Sequence, residues 1–507
     1  MGTAATRREF AGSTVVGHVD TKSHNHAAET STIPPSERGR PSSVVIAGAG
    51  IIGLTTAWRL RRRGIEVTVL DDAPVSGASF AAAGMLAPVS EVIWDQPTLC
   101  PLMVESGRIY RDFAAAIAHD VGHDIGYLES STFVCAGDSA DRQTLNELLE
   151  LQHRMGMTVN RISVSQARAA EPALGPGCVG VVDIPGDHQV DPRRLCGAIL
   201  EFLGDRVVPT RASEVLFNED HRAIGLRGAN GKSYRADHVV LAAGVDTGAI
   251  TGIPQALTDL LRPVRGEVLR LRVPEALRPL VTRTIRGIVQ GNAVYIVPRA
   301  DGTIVLGATT REDDMVGVRA EGVHQLLRDA HRLVPGILDC EIYEMTAKAR
   351  PGSPDDVPMV GRVGDGLTVS MGYFRHGILL AAIGSRIGAD IVCGTEKDNN
   401  PALLAAVNPL LFGNRYTSMM TSNNGETTGH YHTTTVYGEP YDPSDNETIL
   451  DLVSARIGKT LRADGRTVDG SPLGIAVAIN GAVIRRAQWA ATPVRGVIDV
   501  VTAVQGG

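Results

Sequence analysis

A glycine-rich turn between an apolar run and a helical segment constrains the fold of this chain most strongly. The run "VVIAGAGIIG", Val44–Gly53, is rich in β-branched residues and ends in the pattern GxGxxG. The next segment, "LTTAWRLRRRG", has helical spacing, and "IEVTVLDD" is typical of a second strand that ends in Asp71 and Asp72. This order of elements is that of a dinucleotide-binding βαβ unit. The sequence therefore predicts a Rossmann-like α/β domain.

Each glycine of this turn has a physical role. Gly48 permits the tight turn, Gly50 lets the backbone approach a pyrophosphate, and Gly53 lets the helix pack on the strand. The helix N-terminus directs backbone N–H groups toward the phosphates, and Asp71 can accept hydrogen bonds from a ribose. The turn alone does not distinguish FAD from NAD.

Composition narrows the class of protein. A length of 507 residues favours more than one domain. The chain has 49 Lys+Arg against 56 Asp+Glu, so we expect no basic surface for nucleic acid. Its six cysteines form no CxxC pair, which is typical of reduced thiols in a cytoplasmic protein and predicts no metal site. With no run of about 18 apolar residues, no membrane span is expected.

The first 42 residues are polar and rich in Ser, Thr and Pro, which predicts a disordered extension. The segment "TRREF" is similar to a twin-arginine export signal, but no apolar region follows it. The start "MGTAAT" fits the loose myristoylation pattern. Disorder without either signal is the favoured interpretation, in keeping with a cytoplasmic location.

Parts of a dinucleotide-binding domain recur along the chain. A loop of small residues, "GASFAAAGMLAP", follows the second strand and would let the backbone approach a flat ring. A buried strand runs into Ala-Gly in "HVVLAAGVDTG", and a strand, a glycine-rich turn and a long apolar helix lie in residues 359–392. This spacing indicates an FAD domain that is interrupted by a substrate domain.

Further motifs, "VDPRRL", "PVRGE", "YIVPRADGTIVLGAT", "ARPGSPDDVPMVGR" and "GYFRHGILLA", complete a resemblance. Over roughly residues 44–394 the chain resembles the glycine oxidase/D-amino-acid oxidase family of FAD amine oxidases. The resemblance implies a glutathione-reductase-type FAD domain with an interleaved α+β substrate domain in residues 43–413, and FAD as cofactor. It also implies oxidation of glycine and small D-amino acids by O2 to an imine, which water converts to a 2-oxo acid and ammonia, with H2O2 as second product.

An amino-acid substrate needs a fixed cation for its carboxylate, and arginine binds carboxylates bidentately. By resemblance, Arg350 in "ARPGS" is the main carboxylate ligand, Tyr295 adds a hydroxyl, and Arg375 lies near the same site. Met85 is a candidate wall of the substrate pocket. We assign no acid/base residue, because positioning and the cofactor account for the chemistry.

The resemblance also assigns the FAD contacts. They comprise Gly48, Gly50, Ile51, Ile52, Gly53, Asp71, Asp72, Ala78, Ser79, Ala83, Gly84, Met85, Tyr373, Phe374, Arg375, His376, Gly377, Ile378 and Leu379. Two residues depart from the family pattern: Asp246 stands where the family usually has Trp, and His376 where glycine oxidases often have Asn. These departures leave the substrate range open.

A polar linker, residues 414–432, precedes a separate unit, residues 433–507, which has its own pattern of predicted strands and a helix. A strand and turn in "TTTVYGEPYD", a helix in "ETILDLVSARIG", a hairpin in "GIAVAINGAVI" and a strand in "GVIDVVTAV" lead to Gly506 and Gly507. This unit resembles the ubiquitin-like β-grasp fold and the sulfur carrier proteins of thiamine biosynthesis. That resemblance implies a terminal carboxylate which an adenylating and sulfur-transfer enzyme converts to a thiocarboxylate, for use by a thiazole synthase.

The two halves together predict a bifunctional protein of thiazole biosynthesis. One alternative is a D-amino-acid or sarcosine oxidase, or a dehydrogenase that passes electrons to a quinone or partner. Others are a molybdopterin-type sulfur carrier, and a ubiquitin-like tail that only binds. The sequence leaves open the substrate preference, homo-oligomer formation and cleavage between the halves.

Overall fold

The computed structural model describes residues 40–94 and 96–410, and the following parts of the C-terminal segment: 434–436, 439–441, 443–444, 447–457, 460–462, 467, 475–479, 482–484, 486–494 and 497–502. The predicted N-terminal extension up to residue 39, the linker 414–432, and Gly506 and Gly507 lie outside the described residues. The predicted domain boundaries there stay predictions.

Strands and helices are numbered in chain order. The strands are β1 Ser43–Ala47, β2 Glu66–Leu70, β3 Met85–Leu86, β4 Thr132–Ala136, β5 Asn160–Ile162, β6 Gly180–Ile184, β7 His188–Gln189, β8 Val207–Val208, β9 Ala212–Phe217, β10 Ala223–Gly228, β11 Ser233–Arg235, β12 His238–Leu241, β13 Arg262–Arg272, β14 Thr284–Val289, β15 Asn292–Pro298, β16 Thr303–Gly307, β17 Glu341–Gly352, β18 Met359–Gly364, β19 Leu367–Met371, β20 Thr434–Val436, β21 Glu439–Tyr441, β22 Ile475–Ile479, β23 Ala482–Ile484 and β24 Val497–Thr502. The α-helices are α1 Ile51–Arg62, α2 Ala78–Ala81, α3 Leu99–Val121, α4 Ser139–Arg154, α5 Val164–Ala170, α6 Pro192–Leu203, α7 Gln255–Thr258, α8 Ala320–Leu333, α9 Gly377–Cys393, α10 Pro401–Val407 and α11 Ile449–Ile457.

The predicted βαβ unit lies at the centre of a six-stranded sheet with the order β18-β19-β12-β1-β2-β8. Strand β1 pairs in parallel with β2 on one side and with β12 on the other. Helix α1 joins β1 to β2 and packs against α9 and α6. The apolar residues of these elements form one buried cluster, in which Leu54 and Leu60 are fully buried.

Helix α9 is the most apolar helix of this layer. The stretch Phe374–Cys393 is long and apolar enough to cross a membrane. An 18-residue window of it has a mean hydropathy of 1.4, but 83% of that window is buried inside the protein. Ser385 in this helix accepts a hydrogen bond from Arg59 of α1, at 2.8 Å. The hydrophobicity of α9 is therefore that of a central helix which packs on α1 and α3.

A second sheet of eight strands has the order β17-β13-β16-β15-β14-β4-β6-β5. Its pairs are antiparallel, except that β14 and β4 are parallel. Strands β4 to β6 lie in the chain between β2 and β8 of the first sheet, and β13 to β17 lie between β12 and β18. Two sheets therefore alternate along this part of the chain, as the predicted interleaving of two domains requires.

The described C-terminal residues form a mixed sheet with the order β21-β20-β24-β22-β23. The first and last strands, β20 and β24, pair in parallel, and the other pairs are antiparallel. Ile449, Leu452 and Val453 of α11 are buried with Trp489 and Ile498. The predicted helix and hairpin are present, while the β-grasp assignment stays a prediction.

Two helical glycines test the packing argument, because their surroundings differ. A Cβ at Gly53 in α1 would lie 2.0 Å from the carbonyl oxygen of Gly48, whereas one at Gly197 in α6 would meet nothing within 4 Å. We expect Gly53→Ala to lower the free energy of unfolding by about 1–3 kcal/mol, as overpacking does. Gly197→Ala should instead raise it by about 0.5–1 kcal/mol, because alanine is the better helix former.

Denaturant unfolding of both variants beside the parent protein measures these changes. Equal effects of the two substitutions would contradict the role given to Gly53.

Candidate active site

Residues of both large sheets line a cavity of about 590 Å³. The turn between β1 and α1 contributes Gly48, Gly50, Ile51 and Ile52 to its lining. Met85, Tyr295, Arg350 and Arg375 line the same cavity. The structure thus brings together the predicted cofactor turn and all four predicted substrate residues.

At the turn, glycine is required by backbone geometry. Gly48 has φ +98, and a Cβ there would lie 2.5 Å from the carbonyl oxygen of Ala242 on the neighbouring strand connection. The N–H of Ile51, the first residue of α1, donates to the Ser79 hydroxyl at 3.0 Å. This end of the cavity offers a helix N-terminus and a close backbone surface, which suits the pyrophosphate of a dinucleotide.

Asp71 has a local partner as well as a place in the cavity. Its Oδ2 accepts from the N–H of Ala49 at 2.6 Å, and its Oδ1 accepts from the N–H of Ala73 at 2.8 Å. The carboxylate therefore holds the turn in shape, and each oxygen retains a lone pair for a ribose hydroxyl. Asp72, also in the lining, pairs with Arg211 at 3.2 Å.

The loop of small residues between β2 and β3 approaches other backbone closely. Gly84 has φ +76, and a Cβ there would lie 1.9 Å from the carbonyl oxygen of Val190. Ala78, Ser79, Ala83, Gly84 and Met85 all line the cavity, as predicted for residues near a flat ring.

The start of α9 also lines the cavity. Residues 373–379, the predicted contacts Tyr373 to Leu379, all line the cavity. The Tyr373 hydroxyl lies 2.9 Å from the Ser370 hydroxyl, and Phe374 has φ 45, a left-handed backbone conformation that is uncommon for an aromatic residue. Of the two departures, Asp246 is an exposed residue of the lining, whereas His376 is buried.

On the second sheet, glycines make room for the large side chains of neighbouring strands. A Cβ at Gly307 of β16 would lie 2.2 Å from Cζ of Tyr295, its partner on β15. A Cβ at Gly266 of β13 would lie 2.4 Å from Nη1 of Arg350 on β17. The phenol ring and the guanidinium therefore lie flat across the sheet, at the wall of the cavity.

Arg350 carries a charge that the described residues do not neutralise by an ion pair. Its Nη1 donates to the carbonyl oxygens of Thr309 at 3.3 Å and Arg265 at 3.5 Å. Burial lowers the pKa of Arg350 from its ordinary value. A partly buried guanidinium of this kind is a binding place for an anion such as a carboxylate.

Arg375, by contrast, has a carboxylate partner. Its Nη2 lies 2.7 Å from Oε2 of Glu91, and Glu91 Oε1 pairs with Nη1 of Arg286. Burial would raise the pKa of Glu91, but the charges of Arg286 and Arg375 outweigh it and hold that pKa well below its usual range. Glu91 and Arg286 both line the cavity.

Sequence reasoning missed Glu91 and Arg286. For Arg286 the nearby turn could have served as a signal. Gln290 and Gly291 form a two-residue hairpin turn with φ 53 and 76, which is the geometry of a type I′ turn. A two-residue turn there sets Arg286 opposite Tyr295, as the register shows. Glu91 follows β3 in an irregular connection and had no comparable signal.

His376 generates a prediction on pH dependence. Burial lowers the pKa of His376 to about 4, from an ordinary value of 6.5. The unfolded chain therefore takes up this proton between about pH 6.5 and 4 while the folded protein does not, so His376 costs stability as the pH falls through that range.

The variant His376→Asn has no imidazole at this position and therefore lacks this loss of stability at low pH. We expect the free energy of unfolding of the parent protein, minus that of the variant, to fall between pH 6.5 and 4 and to level off below. Urea unfolding at several pH values with excess FAD checks this, and His238, a second buried histidine with a lowered pKa among the described residues, is common to both proteins. A difference that does not change with pH would contradict a buried, neutral His376.

Residues 43–391 match the family described as FAD dependent oxidoreductase. A bifunctional protein ThiO/ThiG of Nostoc sp. is 31% identical over 374 residues, which cover 71% of this chain and 54% of that protein. The chain thus spans about half the length of this relative. The glycine oxidase of Geobacillus kaustophilus is 30% identical over 355 residues, with 69% of this chain and 92% of that protein covered.

The crystal structure of the glycine oxidase of Geobacillus kaustophilus superposes on this protein with a TM-score of 0.64 and 28% sequence identity. The matched region covers 73% of this chain and 98% of the glycine oxidase chain. The family match ends at residue 391, so the sulfur-carrier prediction for the C-terminal unit receives no support from it. The glycines and the helix N-terminus at the turn, the small-residue loop and the start of α9 fit FAD. The chain belongs to the family of FAD-dependent oxidoreductases, with FAD as its cofactor, and its fold is similar to that of glycine oxidase.

Proposed function

We propose that residues 43–413 oxidise glycine and small D-amino acids with O2 as the electron acceptor. The products are H2O2 and an imine, which water hydrolyses to a 2-oxo acid and ammonia. The observation that carries this proposal is Arg350, a partly buried cation at the cavity wall whose hydrogen bonds within the described part of the chain go to backbone carbonyls. The similarity to glycine oxidases supports the same substrate class.

The second sheet would hold the substrate by its carboxylate. Arg350 can donate two parallel hydrogen bonds to a carboxylate, and the Tyr295 hydroxyl, which faces no hydrogen-bond partner among the described residues, can add a third. Both side chains lie across glycines of the neighbouring strands and cannot retreat into the sheet. The substrate carboxylate is thereby fixed, and its α-carbon is directed to one place in the cavity.

Charge in the cavity would also favour the reactive form of the substrate. Arg286, Arg350 and Arg375 line the substrate end, and Glu91 balances one of the three charges. A net positive surrounding disfavours an ammonium group and so favours the neutral amine. FAD, when bound, supplies the hydride acceptor and the route of electrons to O2.

Arg350→Ala tests the proposal. Removing one partner of a desolvated, charge-assisted pair costs about 2–5 kcal/mol, which corresponds to a rise in KM for glycine of roughly thirtyfold or more. Coupled assays of O2 uptake and H2O2 release on the yellow holoprotein measure this, with Arg272→Ala as a control on the same sheet, outside the cavity lining.

Bound FAD should be retained in both variants. An unchanged KM in Arg350→Ala would remove Arg350 from the substrate site. Substrate-dependent flavin reduction without O2 uptake would favour the dehydrogenase alternative.

For residues 433–507 we propose a sulfur carrier of thiazole biosynthesis, served by an adenylating and sulfur-transfer enzyme and delivering to a thiazole synthase. The strand order supports it: the first strand, β20, pairs in parallel with the last, β24, and the α11 helix lies between hairpins in the chain, as the ubiquitin-like resemblance requires. Strand β24 ends at Thr502, five residues before Gly507. A molybdopterin-type carrier is the alternative for this unit.

Deleting Gly506 and Gly507 should abolish thiocarboxylate formation and leave amino-acid oxidation unaltered, because the cavity is lined by residues before Gly394. Intact-mass spectrometry after incubation with the cognate adenylating enzyme, ATP and a sulfur donor detects the exchange of one oxygen for sulfur. The same exchange in the shortened chain, or none in the full chain, would contradict the sulfur-carrier proposal.

A further inference from the structure

The substrate end of the cavity holds more arginine charge than one substrate carboxylate can balance. Arg286, Arg350 and Arg375 line it, and within the described residues the carboxylate that pairs with any of them is that of Glu91. Arg350 is the proposed ligand of the substrate carboxylate. Glu91 bridges the other two arginines, Arg286 and Arg375. Binding of the substrate α-carboxylate by Arg350 does not account for this ion-pair cluster.

Glu91 engages its two arginines as a bound carboxylate would. One oxygen pairs with Arg286 and the other with Arg375, at 2.7 Å in the second case. The Glu91 side chain is only 9% exposed and that of Arg286 is 12% exposed, whereas that of Arg375 is 42% exposed at the cavity surface. Arg286 and Arg375 therefore form a carboxylate-binding place, and the carboxylate in it belongs to the protein.

This place adjoins the proposed substrate position. Arg286 on β14 is the direct cross-strand partner of Tyr295 on β15, and Tyr295 packs over Gly307 toward the side on which Arg350 lies. For an amino acid whose α-carboxylate is bound by Arg350 and Tyr295, Arg286 is thus an adjacent cation within the same cavity.

The backbone beside Glu91 is held in position. The buried carboxylate of Asp187 accepts hydrogen bonds from the N–H groups of Val89 and Ser90, each at 3.1 Å. The N–H of Glu91 donates to the carbonyl oxygen of Ala87 at 3.3 Å. These contacts anchor the backbone of the connection after β3 and so keep the Cα of Glu91 beside the two arginines.

We propose that Glu91 determines substrate specificity: its carboxylate occupies a second carboxylate-binding place, formed by Arg286 and Arg375, and so excludes amino acids with two acid groups. This inference rests on the proposed oxidase function. A second substrate carboxylate would meet the like charge of Glu91, which is unfavourable beside a carboxylate that is only 9% exposed. Without Glu91 it would meet two unpaired arginines instead.

D-aspartate and D-asparagine form a matched pair of substrates, since they differ by one charge at nearly constant shape. The measured quantity is the kcat/KM for D-aspartate divided by that for D-asparagine, in FAD-loaded protein. We expect this ratio to rise about tenfold to a hundredfold in Glu91→Gln, as charged hydrogen bonds imply. In Glu91→Ala it should rise further, because the place is also emptied.

Two further variants test whether the rise in this ratio comes from the place formed by Arg286 and Arg375. In the double variant Glu91→Ala/Arg286→Gln the gain should be lost. Glu344 is the matched control, because it also lies between two arginines, Arg193 and Arg270, but outside the cavity lining. Glu344→Ala should leave the ratio as it is in the parent protein.

Ligand binding gives a readout that does not need turnover. Flavin absorbance titrations with malonate and acetate should show a tenfold or greater gain for malonate relative to acetate in both Glu91 variants. An unchanged malonate preference and an unchanged substrate ratio in Glu91→Gln would overturn the inference, as would a gain that persists after Arg286→Gln.

Failure of the proposed function has a different signature. In that case the parent protein would form no H2O2 from glycine, D-alanine or D-asparagine. The malonate and acetate titrations would still report on the arginine pair and would uphold or overturn the second carboxylate-binding place.

Discussion

The close approach of α1 to the end of β1 is the constraint on which the rest of the structure depends. A Cβ at Gly53 would lie 2.0 Å from the Gly48 carbonyl oxygen, so the helix can pack this closely only because Gly53 has no side chain. Asp71, at the end of β2, receives the N–H of Ala49 inside the same turn. One junction therefore sets the positions of β1, α1 and β2, and with them the nucleotide end of the cavity.

The substrate end uses the same physical device in a sheet. Gly266 and Gly307 leave space on β13 and β16, and Arg350 and Tyr295 from the adjacent strands occupy it. The cost is a loss of side-chain packing on these strands. The gain is that a cation and a phenol are fixed at a cavity wall by close backbone contact, so little conformational entropy remains to be lost when a carboxylate binds.

The sequence predicted the nucleotide end well because its elements are local. A strand, a turn, a helix and an acid within 30 residues specify one βαβ unit, and the structure has β1, α1 and β2 where the pattern predicts them. Arg350 and Tyr295 came from resemblance, and the structure places both in the cavity. Glu91 could not be predicted, because its position depends on Asp187, whose contacts with Val89 and Ser90 span 98 and 97 residues.

The interleaving of the two sheets has a consequence for how the chain folds. Strand β1 can pair with β12 only when His238–Leu241 has been synthesised. Strand β12 can in turn pair with β19 only when Leu367–Met371 has been synthesised. Contacts of such long sequence separation slow folding, since loop-closure entropy is lost before the strands pair. During synthesis the edge of β12 that faces β19 therefore stays unpaired until β19 has left the ribosome, and fragments that end before β19 lack one of the two neighbours of β12 in the central sheet.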